Sequence, residues 1–153
     1  MALNYKVALD GVDQQILNIL SLDGRISLSA LAQRVSMSAP SVTERIRRLE
    51  DKGVLLGFTI DVGLHALGYS LEAIVRIKPR PGKLKQVEQM IESQARFVYC
   101  DRVTGDDCYI AKLMLKTIDE LDELLGVFHD HAETNTSIVK SSLIKNRSLF
   151  SDF

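Results

Sequence analysis

At 153 residues the chain fits one domain or two small ones, and 46% hydrophobic content is ordinary for a globular protein. A formal net charge of −1 excludes a uniformly basic coat, so any DNA contact must rest on a local cluster of cations. No run is long and apolar enough to span a bilayer, Met1 to Asp10 lacks a signal peptide's apolar core, and two cysteines make no disulfide framework. A cytoplasmic protein with reduced thiols is the expectation.

A first helix is expected from Gln14 to Leu20, led in by Leu9 to Asp13. Val12, Ile16, Leu17, Ile19 and Leu20 supply its apolar side, with Asp10 or Asp13 at its N-terminus. Leu22-Asp23-Gly24-Arg25 breaks it.

The segment from Ser27 to Gly53 carries the most information. Ser27 can cap a second helix, whose stripe is Leu28, Leu31, Ala32 and Val35. Ser36-Met37-Ser38 is a turn, and Ser38 is the natural N-cap of a third helix. Pro40 is tolerated in that helix's first turn, where backbone N–H groups have no intrahelical partner. Val42, Ile46 and Leu49 lie on one face, while Pro40, Ser41, Glu44, Arg47, Arg48 and Asp51 point broadly away. Gly53 ends the helix one position after Lys52, whose charge suits the negative end of the helix dipole. Two helices joined by a tight turn, the second rich in arginine, form a helix-turn-helix layout. Residues 1–53 hold seven Lys/Arg and six Asp/Glu, a net of +1, against −2 for the rest. The basic footprint is therefore the cluster Arg45, Arg47, Arg48 and Lys52, which dimerisation would double. Val54 to Asp61 reads as a strand, either a wing or a linker.

From residue 70 onward the pattern alternates in type. Leu71 to Ile77 is a strand, ended by Lys78-Pro79-Arg80-Pro81-Gly82. A helix follows over Lys83 to Gln94, then a strand over Phe97 to Val103. Thr104-Gly105-Asp106-Asp107 is a hairpin turn with Gly-Asp chemistry suited to positive φ. Cys108 to Leu115 is a third strand; Ile118, Leu121, Leu124, Leu125 and Phe128 line a second helix; Thr136 to Ile144 is a fourth strand. This βαββαβ order is ferredoxin-like, an antiparallel sheet with two helices on one face, so the fold class is α+β. Ala73, Val75, Ile77, Ile110 and Leu113 would load both sheet faces with apolar groups, and an uncovered apolar face predicts self-association.

An enzyme reading has little support. No Ser/His/Asp or Cys/His pairing follows from spacing, and no Gly-rich loop cradles phosphate. Cys100 and Cys108 read as small core hydrophobes without the histidines a zinc site needs. His65, His129 and His131 are scattered, and no metal or cofactor is expected.

A helix-turn-helix followed by βαββαβ resembles the Lrp/AsnC family, the feast/famine regulators of prokaryotes. The resemblance runs roughly from Leu9 to Asn146. It is carried by LDGVDQQILNIL, by DGRISLSALAQRVSMSAPSVTERIRRLEDKGVLLGFTIDV, by ALGYSLEAIVRI and by VTGDDCYIAKL. It implies a DNA-binding transcriptional regulator whose C-terminal domain builds dimers, often octamers, and binds an amino acid or related small molecule between dimers. The implied DNA-reading set falls on the third helix: Ser38, Ser41, Thr43, Glu44, Arg45, Arg47 and Arg48. The implied effector set is Thr104, Gly105, Asp106, Asp107 and Cys108 at the turn. Thr136 and Ser137 belong to the opposing wall, which relatives build from the stretch matching Thr134 to Val139. Where leucine-type members commonly carry a second acid, this chain has Cys108, which puts leucine specificity in doubt. A thiol cannot fix an α-ammonium by charge as a carboxylate can.

The expected organisation is a DNA-binding domain over 1–53, a strand and linker over 54–69, and a ligand-binding and oligomerisation domain over 70–153. Two recognition helices of a dimer would enter successive major grooves, with Arg25, Arg34 and Lys52 on phosphates and Ser38, Ser41, Arg45 and Arg48 on base edges. The alternative is a metabolite-sensing βαββαβ module whose N-terminal bundle makes protein contacts.

Overall fold

The structure is a computed structural model that describes residues 7–145. It divides into two compact units, Val62–Leu143 forming the second, while the described residues 144–145 group with the first rather than with the expected 70–153 domain. The expected second domain's last stretch, 146–153, lies outside the described residues.

The first unit holds α1 (Gly11–Leu22), α2 (Leu28–Arg34) and α3 (Ala39–Asp51). Each helix starts where a short polar side chain can satisfy an orphan amide. Asp10 accepts from the Asp13 N–H, Ser27 from Ala30, and Ser38 from Ser41. The turn between α2 and α3 places Ser36 at φ +55°, and the Met37 N–H returns to the Ala32 carbonyl at 2.9 Å. At the far end of α3, Gly53 adopts φ +65°, which lets the Val54 N–H fold back onto the Leu49 carbonyl at 2.9 Å. Ile16, Leu17, Leu31, Ala32, Val35, Val42 and Leu49 form the buried core of this unit.

Residues 54–61 are not a strand. The backbone is irregular there, and Leu56 and Ile60 are 91% and 80% exposed. The alternating apolar pattern is present, but among the described residues no ladder partner is, and a strand is defined by its ladder. Val54 and Leu55 pack against the helical core instead.

The second unit opens with a short 3-10 turn, Leu64–Leu67. It continues with β1 (Leu71–Pro79), α4 (Leu84–Ser93), β2 (Phe97–Arg102), β3 (Tyr109–Leu115), α5 (Ile118–Gly126) and β4 (Ala132–Ile138). The sheet order is β2-β3-β1-β4, antiparallel throughout. Val87 and Ile91 of α4, Leu121 and Leu124 of α5, and Phe128 bury against Ala73, Val75, Ile77, Ala111, Leu113 and Leu115. Both helices therefore cover one face, and the arrangement is ferredoxin-like.

Three strand-level expectations change. β1 runs through Pro79, at a position where a missing N–H is tolerated beside the edge strand, and the break begins at Arg80. β4 covers Ala132–Ile138 rather than 136–144. Its entry is set by the turn that returns the Ala132 N–H to the Phe128 carbonyl at 2.8 Å, and Leu143 beyond its end is 97% exposed.

The third change concerns the open face of the sheet. Register pairs Ala73 with Leu113 and Val75 with Ala111, so Ala73, Val75, Ile77 and Leu113 share the helix-covered face and only Ile110 lies opposite. The open face carries Glu72, Ile74 and Arg76 from β1 and Ile110, Lys112 and Met114 from β3, with a Lys112–Glu72 ion pair at 2.9 Å. It is a mixed surface, not a uniformly apolar one.

Candidate DNA interface and effector turn

The α3 surface divides into three strips. Val42, Ile46 and Leu49 face the helical core. Thr43 and Arg47 flank one side, and Ser41, Arg45 and Arg48 the other. Ser38, Thr43, Glu44 and Arg47 are exposed and Ser41 is half-buried. The serines are partly committed to the helix start: the Ser38 and Ser41 hydroxyls lie 2.8 Å apart. Thr43 Oγ1 donates back to the Ala39 carbonyl at 2.9 Å, leaving its oxygen lone pairs free to accept. Arg25, Arg34 and Lys52 are exposed around the same helical hairpin.

Arg45 and Arg48 do not stand free. Arg45 Nη1 donates to Asp10 Oδ2 at 2.6 Å and Asp13 Oδ1 at 2.7 Å. Arg48 Nη2 donates to both Asp13 oxygens, at 3.0 and 2.8 Å. Asp13 is only 3% exposed, the one buried charged residue among those described. The Arg45 hydrogen bond, followed by the Asp13 N–H, holds the Asp10 carboxyl below its ordinary value. The same carboxylates, Asp10 first, hold the Arg45 guanidinium charged. Among the described contacts Arg45 is engaged through Nη1, and its side chain is 22% exposed, so it stands less open to a base edge than Arg48. Arg48 is engaged through one nitrogen and remains 45% exposed in its side chain. Sequence reasoning missed Asp13 as a partner. The signal was a carboxylate at an apolar position of α1, in line with Ile16, Leu17 and Leu20.

The turn after β2 is closed by the Val103 N–H on the Cys108 carbonyl at 2.9 Å. Thr104, Gly105 and Asp106 are exposed at its tip, with Gly105 at φ +114°. Among the described residues, apart from its own chain neighbours, no heavy atom lies within 4 Å of where a Gly105 Cβ would stand, so the space over the tip is open. Asp107 is half-buried, and its carboxylate lies 3.8 Å from Arg76 Nε on the open sheet face. Cys108 and Cys100 are half-buried free thiols in contact with the sheet core. Among the described residues, no group of three His, Cys, Asp or Glu side chains is placed to hold a metal ion.

Thr136 and Ser137 do not form one wall. Thr136 pairs with Val75 on the helix-covered face, and Ser137 pairs with Ile74 on the open face. Asn135, opposite Arg76, is the open-face β4 residue nearer the turn and was not anticipated. β1 separates β3 from β4, so a single chain does not bring the turn and the β4 wall together.

Comparison with known proteins bears on both halves. Residues 9–55 match the winged helix-turn-helix DNA-binding family, and residues 72–149 match the Lrp/AsnC ligand binding domain. The HTH-type transcriptional regulator LrpC of Bacillus subtilis is 27% identical, covering 88% of this chain and 94% of its own. Its solved structure matches with a TM-score of 0.84 over 92% of this chain and 100% of that one. The HTH-type transcriptional regulator FL11 of Pyrococcus horikoshii is 31% identical over 88% of this chain and 91% of its own. A feast or famine regulatory protein from M. tuberculosis, solved in complex with L-methionine, is 29% identical with a TM-score of 0.84, covering 94% of this chain and 99% of that one. With a helix-turn-helix unit built on α2 and α3 and a βαββαβ unit matching the ligand-binding domain, this chain belongs to the Lrp/AsnC family of DNA-binding transcriptional regulators.

Proposed function

We propose that the chain reads an operator through α3 and is modulated by a free amino acid bound at the open sheet face beside the Gly105 turn. It acts by binding rather than turnover, in the cytoplasm, with no cofactor. The observation that carries the DNA half is the exposed strip of Ser38, Thr43, Glu44 and Arg47, ringed by Arg25, Arg34 and Lys52. In this reading Arg47 and the free edge of Arg48 approach base edges, and the surrounding cations take phosphates. The working organisation is DNA binding in residues 1–53, a linker over 54–69, and effector binding and assembly in 70–153.

For the effector, the Gly105 backbone and Asp106 supply an amide and a carboxylate suited to the two ends of an α-amino acid. Thr104 adds a hydroxyl at the tip, and Asp107 anchors the loop to Arg76. A second chain would bring Ser137 and Asn135 opposite the tip, which makes the complete site a property of dimers or of multiples such as octamers. The L-methionine complex of the 29% identical relative supports an amino acid as the ligand class. A thiol at Cys108 supplies no second charge for the ammonium and leaves side-chain preference to the surrounding apolar groups.

Two measurements test this. Mobility shifts with genomic fragments at two salt concentrations should show a saturable complex that weakens with salt and weakens further in Arg47→Ala, by about 1–3 kcal/mol. A thermal-shift screen of the twenty amino acids should find at least one that stabilises the wild type and fails to stabilise Asp106→Ala. Equal response in both proteins would move the pocket elsewhere.

A further inference from the structure

The α3 helix carries four cations, Arg45, Arg47, Arg48 and Lys52, yet two of them are held by carboxylates from α1. Asp13 is the hub: a nearly buried carboxylate that accepts from both guanidiniums. Its burial would be costly without that pairing, because an ion in a low-dielectric setting must be compensated. Arg45 is mostly covered, with 22% side-chain exposure, and is shared between Asp10 and Asp13. Arg48 is likewise held through one nitrogen, Nη2 on both Asp13 oxygens, but its side chain is 45% exposed, so the rest of its planar fork is more open to solvent.

Geometry gives this arrangement a consequence for DNA. Two loose arginines on a recognition helix would bind any phosphate within reach, which raises affinity for every sequence alike. With both arginines held by α1 carboxylates and Arg48 the more exposed of the two, a single orientated fork is left at the surface. A preorganised donor of that kind discriminates between bases because the wrong base leaves it unpaired. The helices α1 and α3 are thereby fastened by charge as well as by apolar packing, which sets the tilt at which α3 meets the groove.

We propose that Asp13, assisted by Asp10, is a positioning pair for DNA recognition. It withholds Arg45 from phosphates, orients Arg48, and so sets the ratio of specific to non-specific binding rather than total affinity. This rests on the DNA-binding reading above.

The test uses the full-length protein and two duplexes: an operator selected with the wild type from a random-sequence pool, and a mixed-sequence duplex of equal length. Affinities are measured across a salt series for the wild type, Asp13→Asn, Asp10→Asn and Asp13→Glu. Asp10→Asn is the variant that keeps folding intact, because asparagine caps a helix as well as aspartate does. In Asp13→Asn the non-specific salt slope should steepen by about 0.9 per arginine released, and the specific-to-non-specific ratio should fall roughly tenfold. Asp10→Asn should move both quantities in the same direction by less, and Asp13→Glu should recover part of the ratio. A folded Asp13→Asn with unchanged slope and ratio overturns the proposal and leaves the pair purely structural. If Asp13→Asn does not fold, Asp10→Asn decides: no change in its slope overturns the proposal equally. Failure of the DNA-binding reading itself would look different, since the wild type would then select no operator from the pool.

Discussion

Single residues in this protein take their roles from long-range partners. Asp10 both caps α1 and accepts from Arg45, and its carboxyl is held below the ordinary value of 3.8 chiefly by that guanidinium. A lowered folded pKa contributes stability that is complete above the ordinary value and is lost as pH falls through the folded one. Asp10→Asn keeps the cap and removes the ion pair. Urea midpoints of wild type and variant should therefore differ near neutrality and converge below pH 3.8. A difference that persists in acid would assign the effect to something other than the ion pair. At the opposite end of the scale, Tyr109 is 4% exposed and its hydroxyl donates to Glu88 at 2.6 Å. Burial first, and that hydrogen bond second, push its phenol up to about 12. The neutral phenol is thus favoured by folding. Its contribution is complete below 10.0 and should be lost as pH rises toward about 12, where the advantage of wild type over Tyr109→Phe should disappear in an alkaline denaturation series.

At the scale of elements, α3 is a helix with separable jobs on each strip, and its start shows this most clearly. The Ser38 hydroxyl oxygen accepts from the Ser41 N–H at 3.3 Å while remaining exposed at the end expected to approach DNA. Ser38→Ala should cost about 1 kcal/mol of stability through the lost cap. Ser38→Asp should retain the cap and favour the helix dipole, yet place a negative charge against phosphate. Thermal midpoints and operator affinity of the two variants should therefore move in opposite senses: the aspartate variant stable and weakly binding, the alanine variant less stable with milder loss. Parallel losses in both measurements would mean that the helix start does not face DNA.

For the whole molecule, the decisive fact is that two hydrophobic cores form without sharing residues. Each core can then fail on its own. Phe128 is fully buried, and its ring meets Phe97 edge-on at 6.0 Å between centroids. Phe128→Ala should destabilise the βαββαβ unit by about 3–5 kcal/mol, mostly through the cavity left behind. Calorimetry should show that transition fall while the helix-turn-helix transition stays in place. A loss shared equally by both would show that the units unfold together. Assembly belongs to this scale as well. With a mixed open face, self-association of the isolated segment from Tyr69 onward should be weaker at high salt than apolar burial alone would make it. Sedimentation across a salt series checks this, and a salt-independent dimer would point to an apolar interface.

What the sequence by itself determined is local. Ser27, Ser38 and Asp10 announced the helix starts, Gly53 announced a helix end, and 3.6-residue and two-residue periodicities announced βαββαβ, because caps and amphipathic faces act within a few residues of chain. Arg47 was legible as a surface cation for the same reason. Tertiary structure alone decided the rest. The partner of Arg45 sits 35 positions away at Asp10, and nothing in local spacing selects it. Thr136 and Ser137 look equivalent in sequence, but a ladder register formed with Ile74 and Val75 sends them to opposite faces. Residues 54–61 have a strand's alternation, yet a strand exists only where another backbone answers its N–H and C=O groups, and among the described residues none does. Charge pairing, register and ladder closure join residues distant along the chain, so they are decided by which surfaces the folded chain brings together.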